Sequence, residues 1–328
     1  MKTNCIVRIL RQLFMIVPIV IILLITAACQ PSDTGEVPPA SQAPPPPMAM
    51  NMNMGAPSLE ELEQATYVGV INEPVRLNEG RWQDKPFTEG GASRLSVGLD
   101  RNVLLSGDLN GDGTEEAVVL LWSNSGGSGT FDYLAVVGRS QTGVPVNLAT
   151  RALGDRVKIH NARIDGGRIT IDTVESGPED PKCCPGQKYR RTYALAGDTL
   201  NEVSATDLGR LSITDLAGVD WVLIEFDWND PVPADIDITL RFEGDRIGGK
   251  SACNQYGGSV IAGRLPGAMT VELPMISTMM ACPPPTDEFE QRYLEKLQGV
   301  TQFSFLSGNL TLTWRTYEHY GTMIFAPR

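Results

Sequence analysis

The chain has 328 residues, 42% of them hydrophobic and 20% charged, with 39 acidic against 27 basic residues and a formal charge of −12. An acidic chain with no Lys/Arg cluster excludes a nucleic-acid partner held through its phosphates, and equally a polybasic membrane patch. Once the N-terminal segments are set aside, the length suits two ordinary domains.

Residues 1–28 read as an export signal. Lys2, Arg8 and Arg11 precede the apolar run Leu13 to Ile25, which is too short for a comfortable spanning helix. The run ends in Thr26-Ala-Ala-Cys29, small residues directly before a cysteine. This resembles the lipobox of bacterial lipoproteins, with Thr26 in place of the more usual Leu. The resemblance implies cleavage before Cys29, lipidation of that cysteine and a chain tethered to a membrane on its extracytoplasmic side. An uncleaved signal anchor is the alternative, with the same sidedness. Which membrane holds the anchor, cell membrane or outer membrane, is left open.

Residues 29–57 follow as a Pro- and Met-rich tether without apolar periodicity, expected to be disordered. Its alternating Met48, Met50, Met52 and Met54 raise the idea of copper(I), but no His or Cys accompanies them, so the segment reads as linker. With Cys5 in the signal and Cys29 lipidated, Cys183, Cys184, Cys253 and Cys282 remain, an even number that suits disulfides in an oxidising compartment.

Residues 58–212 are expected to form a β-rich domain. Ser58-x-x-Glu61 is a capping box that opens a short helix through Leu59, Leu62 and Ala65, and Thr286 further on is placed as the cap of a second helix. Tyr67–Ile71, Ala117–Trp122, Tyr133–Val137, Val157–Ile164, Ile169–Val174 and Tyr189–Leu195 are rich in β-branched or aromatic residues and separated by Gly, Asp and Asn turns. The loop Asp108-Leu-Asn110-Gly-Asp112-Gly-Thr-Glu-Glu116 places oxygen side chains at positions 1, 3, 5 and 9 around a glycine turn, a pattern that suits calcium. It resembles the Asp-rich loops of FG-GAP repeats, although it occurs once. A turn satisfied by its own hydrogen bonds is the competing reading. Cys183 and Cys184 are adjacent and could form a vicinal disulfide, a redox pair or two thiolate ligands. With the Asp108 loop they resemble uncharacterised extracytoplasmic lipoprotein domains.

Residues 213–328 contain the spacing G-x-x-x-x-G-K-S from Gly244 to Ser251. A phosphate loop needs a following helix, whereas the sequel here is Gly-rich and β-branched, so the match reads as turn chemistry and no nucleotide is expected. Ile236, Ile238, Leu240 and Phe242 alternate as a half-buried strand should, and Phe289, Tyr293, Leu297 and Val300 share one face of a helix. The pieces Cys253-Asn254-x-Tyr256-x-Gly258 and Thr278-x-Met280-Ala-Cys282-Pro are similar to the META domain, also called HslJ-like. That resemblance implies a strongly curved sheet or partly open barrel with one packed helix. The family occurs on envelope lipoproteins and heat-shock-inducible proteins and has no agreed catalytic residues. Cys253 and Cys282 are expected to pair, closing a loop worth about 3–4 kcal/mol in the chain-entropy model.

The fold class expected is therefore mostly β with a few short helices. With two histidines, His160 and His319, both in strand-like contexts, and no nucleophile motif, catalysis finds little support. The leading reading is a lipid-anchored, noncatalytic binding or envelope-stress protein whose partner is an envelope protein or a small ligand. The alternatives are a calcium-binding or redox-sensing lipoprotein, using the Asp108 loop or the Cys183–Cys184 pair, and an unrecognised envelope hydrolase.

Overall fold

The computed structural model describes residues 55–181 and 184–328. The expected signal segment, Cys29, nearly all of the tether and Cys183 lie outside the described residues. The described residues fall within one compact unit, mostly β with two α-helices. Among them, no helix is long and apolar enough to cross a membrane.

Helix α1, Leu59–Leu62, opens on the expected capping box. Ser58 N–H donates to Glu61 Oε2 at 2.8 Å, and Arg139 bonds both Glu61 oxygens, which holds that carboxyl down at about 2. The strand expected over 67–71 is shorter: only Thr66–Tyr67 pairs, with Val75–Arg76. The reason lies at Val68, whose amide donates to the Asn147 side chain at 3.0 Å instead of to a ladder.

Five strands follow as an antiparallel meander: β1 (Arg81–Gln83), β2 (Ser96–Gly107), β3 (Glu116–Asn124), β4 (Phe131–Arg139) and β5 (Pro145–Asp155). The continuous apolar run of β3 is explained by burial on both faces. Ala117, Val119 and Leu121 pack with Leu62, Tyr67 and Leu77 in one cluster, while Val118 and Leu120 face a second. That second cluster is closed by a four-stranded sheet, β6 (Lys158–Asp165), β7 (Arg168–Glu175), β8 (Gln187–Ala196) and β9 (Thr199–Arg210), through Ile159, Ile169, Ile171 and Tyr193.

The C-terminal strands are β10 (Trp221–Phe226), β11 (Thr239–Glu243), β12 (Arg246–Lys250), β13 (Gln255–Ala262), β14 (Met269–Val271), β15 (Val300–Leu306), β16 (Asn309–Arg315) and β17 (Tyr320–Pro327). They run in the order β14-β13-β12-β11-β10-β17-β16-β15. The two ends meet through a bridge between Ala268 and Gln302 and a 2.7 Å bond from Phe303 N–H to Gly267 O, so the curved sheet is nearly a closed barrel. Helix α2, Thr286–Gln298, inserts Tyr293 and Leu297 into the barrel core beside Phe226, Phe303 and Phe325.

Thr286 does not cap α2. Pro285 occupies the cap position without a side-chain bond, because Thr286 N–H already closes a turn onto Pro283 O at 3.0 Å. Asp287 and Glu288 do occupy the first turn, where the helix dipole favours them.

The barrel is joined to the four-stranded sheet. Val174 of β7 enters the barrel core, Phe305 stacks on His160 at 4.0 Å, and Gly308 N–H donates to Ile159 O at 3.0 Å. Lys188 meets Asp215 at 2.5 Å.

Candidate functional site

The motif residues of the C-terminal part converge on Asn254, which is 3% exposed. Its Oδ1 accepts from Thr278 Oγ1 at 2.7 Å and from Met280 N–H at 2.8 Å. Its Nδ2 donates to Glu290 Oε1 at 2.9 Å and Met280 O at 3.2 Å, and its own amide donates to Glu290 Oε2 at 2.8 Å. The expected Cys253–Cys282 disulfide stands beside this hub. Tyr256 OH lies 2.6 Å from Tyr293 OH and donates to Thr239 O at 2.9 Å; burial pushes both phenols well up. A Cβ on Gly258 would stand 3.2 Å from Met275 Cγ.

Every polar atom of this hub is spent on another part of the same barrel. It fastens β13, the 278–282 segment and α2 together. Met280 contributes through its backbone, so its side chain stays exposed. Cys253, Cys282 and Glu290 bring ligand atoms within 4.8 Å of one another, but both sulfurs are engaged in the disulfide and Glu290 in Asn254.

The Asp108 loop is exposed from Asn110 to Gly113 but is bonded within itself. Asp108 accepts from Gly111 and Gly113 N–H at 2.7 and 3.0 Å, and Asp112 accepts from Thr114 N–H at 2.7 Å. Asn110 donates to Asp112 and Glu116, and Glu116 also accepts from Leu109 N–H at 2.8 Å. Glu116 is buried and its carboxyl is raised, chiefly by desolvation and then by the charges of Asp112 and Asp108. Among the described residues, these carboxylates do not bring three ligand oxygens within 4.8 Å of one another. Cys184 is buried and disulfide-bonded, whereas Cys183 lies outside the described residues.

Gly244 to Ser251 forms a hairpin and strand with no helix after it. A Cβ at Gly249 would stand 2.1 Å from Thr239 O, so glycine is required there by backbone approach and not by a phosphate. A cleft of about 400 Å³ borders this hairpin. Its arginines are mostly neutralised: Arg241 meets Asp220, and Arg328 meets Asp237 at 2.6 Å. Asp227, Asp230 and Asp237 all serve ion pairs with Arg292, Lys296, Lys250 or Arg328.

A larger cleft lies elsewhere, at about 670 Å³, within the range of small-molecule sites. Strand register builds it. Asp100 pairs with Leu120, Gly98 with Trp122, Ser96 with Asn124, and Trp122 with Asp132, so these residues share the face of the five-stranded sheet that meets β6–β9. At one end that face is apolar and covered; at the other it turns polar and is left uncovered. Arg156, Lys158 and Ile159 form one wall and Phe305 to Ser307 of the barrel another.

Asp100 and Asp132 both sit at register breaks in their strands, where bulges re-aim side chains. Asp100 accepts from Asn102 at 2.9 Å and from Ser307 Oγ, which joins the sheet to the barrel. Asp132 Oδ2 accepts from Val157 N–H at 2.8 Å, and no residue donates to its Oδ1. Burial pushes the Asp132 carboxyl up to about 7, with Asp100 and Asp155 adding to the rise and Val157 N–H and Lys158 opposing it. Trp122 lies flat over Gly98, where a Cβ would stand 2.3 Å from the indole ring. Among the described residues, the Trp122 indole N–H, the Lys158 ammonium and the Ser128 and Thr130 hydroxyls have no hydrogen-bond partner.

None of these cleft residues carries a motif. The readable signal was the break in alternation, where Trp122, Asn124 and Asp132 replace the aliphatic residues of the inward face. No curated protein and no solved structure matches this chain. The C-terminal part of this chain matches the family model of the META domain over residues 214–327, and the matched region is a nearly closed barrel with a single packed helix.

Proposed function

We propose that this protein is a noncatalytic binding protein, lipid-anchored through Cys29 on the extracytoplasmic side of a membrane, whose ligand occupies the cleft between the five-stranded sheet and the META barrel. The observation that carries the reading is the set of unpaired donors and one unpaired carboxylate oxygen gathered in a cavity of about 670 Å³. These groups are part-buried or, at Ser128, exposed, and face the open cleft without a protein partner, so a ligand can take the place of water on them. The META hub supports the role from a distance: it fixes the barrel, and the barrel presents Phe305 to Ser307 as a wall.

The hydroxyl that does meet a carboxylate in the cleft, Ser307 on Asp100, has no histidine beside it among the described lining residues to act as its base, which favours binding over hydrolysis through a serine nucleophile. The calcium reading gains no support from an Asp108 loop satisfied by its own amides, and the redox reading turns on Cys183, which lies outside the described residues. A thermal-shift screen of small-molecule mixtures tests the proposal. Compounds should raise the melting temperature of the wild type and fail to do so in Ser128→Trp, which fills the cleft. Equal stabilisation of both proteins would refute it. The anchor is tested separately: labelling with a fatty-acid analogue should mark the wild type and not Cys29→Ser.

A further inference from the structure

We infer that the cleft takes a neutral, polyhydroxylated ligand, a saccharide of about one or two rings, and this rests on the binding reading above. Charge argues first. Arg156 is held by Asp155 at 2.5 Å, burial lifts Asp132 to about 7 so that it carries only part of its charge, and Asp100 is left against Lys158, so the cavity offers little net field to a strongly charged ligand. A multivalent anion would face two carboxylates, and a polyamine would face two cations.

The hydrogen-bonding inventory argues second. A sugar hydroxyl donates one hydrogen bond and accepts others. The cleft supplies both kinds of partner without internal satisfaction. Asp132 Oδ1 accepts, while Trp122 N–H and Lys158 Nζ donate and the hydroxyls of Ser128 and Thr130 do either. An apolar ligand would leave these groups dry and unpaired, at roughly 1–3 kcal/mol each.

Shape argues third. Trp122, which is part-buried, gives the cavity apolar surface beside its polar edge, matching a ring whose C–H face and hydroxyl rim differ in polarity, whereas the Phe305 ring is buried and stacked on His160. The half-protonated state of Asp132 near neutral pH adds versatility, because the acid can donate and the carboxylate accept.

Titration calorimetry of the full chain in mild detergent tests this, with maltose, cellobiose and chitobiose as neutral probes and glutamate and spermidine as charged ones. At least one disaccharide should bind saturably at millimolar concentration. Its affinity should fall roughly tenfold in Asp132→Ala, the worth of a hydrogen bond to a charged group. Lys158→Met removes a side chain that makes no hydrogen bond or ion pair among the described residues and acts on Asp132 only through its charge, so the fold should be kept, which an unchanged far-UV spectrum checks; it should also weaken binding. A sugar that binds undiminished to both variants overturns the assignment. Binding of a charged probe alone overturns the ligand class while leaving the cleft as the site. No binding by any probe overturns both. Sedimentation with purified cell-wall sacculi separates the two sources of such a ligand: co-sedimentation abolished by Lys158→Met marks a polymer, and binding of free disaccharide without it marks a soluble sugar.

Discussion

Asn254 is the most heavily used side chain in the META barrel, and its energetics follow from what its removal would strand. Asn254→Ala leaves Glu290 Oε1, the Thr278 hydroxyl and the Met280 amide without the Asn254 side chain at a part-buried site, while Glu290 Oε2 keeps the backbone N–H of residue 254. The expected loss is about 1–3 kcal/mol; urea unfolding that shows no shift in midpoint would contradict the role. Asp132 is costly in the opposite sense. Its carboxyl titrates at about 7 in the folded protein against roughly 4 when unfolded, so the folded state holds a proton the unfolded chain has released. Stability attributable to this group is therefore greatest at low pH and falls as pH rises from about 4 to 7. Asp132→Asn should gain on the wild type over that window, by up to about 4 kcal/mol, and denaturation at pH 4 and pH 8 measures it. The sequence showed Asn254 as part of a motif but not its work. Its partners lie 24 to 36 positions away and meet it only once the barrel closes. Asp132 showed only as a break in alternation, and nothing local distinguishes a strand-end aspartate that faces solvent from one that faces a cleft.

At the scale of elements, periodicity carried most of the fold. Both-face burial explains β3, alternation explains β16, and the helical stripe of Tyr293 and Leu297 is core, as read. Where the reading missed, a local hydrogen bond had displaced the expected pattern: Asn147 on the Val68 amide, and the Pro283 carbonyl ahead of Thr286. The G-x-x-x-x-G-K-S spacing is turn and strand chemistry, with Gly249 pressed against Thr239. The Cys253–Cys282 bridge has a sequence separation of 29 and ties β13 to the segment preceding α2. Replacing both cysteines by serine should cost about 3–4 kcal/mol of unfolding free energy. An unchanged midpoint would mean that the Asn254 hub alone fixes that segment.

At the scale of the molecule, two sheets and a barrel share apolar cores through Val174 and through the Phe305–His160 stack. Calorimetry should therefore show one cooperative transition, and two resolved transitions would mean that the barrel unfolds alone. This coupling gives the cleft its shape, because one wall belongs to each part. It was also the least legible feature of the sequence, which indicates strands and turns but not which strand ends are left uncovered when separate sheets pack. The central claim, that the cleft is the binding site, is tested most directly by amide shift mapping of the isotope-labelled chain against disaccharide and metabolite mixtures. The perturbed amides should concentrate at residues 96–100, 120–132, 156–159 and 305–307. Saturable shifts confined to the Asp108 loop or to the Asn254 hub, with the cleft silent, would contradict the account.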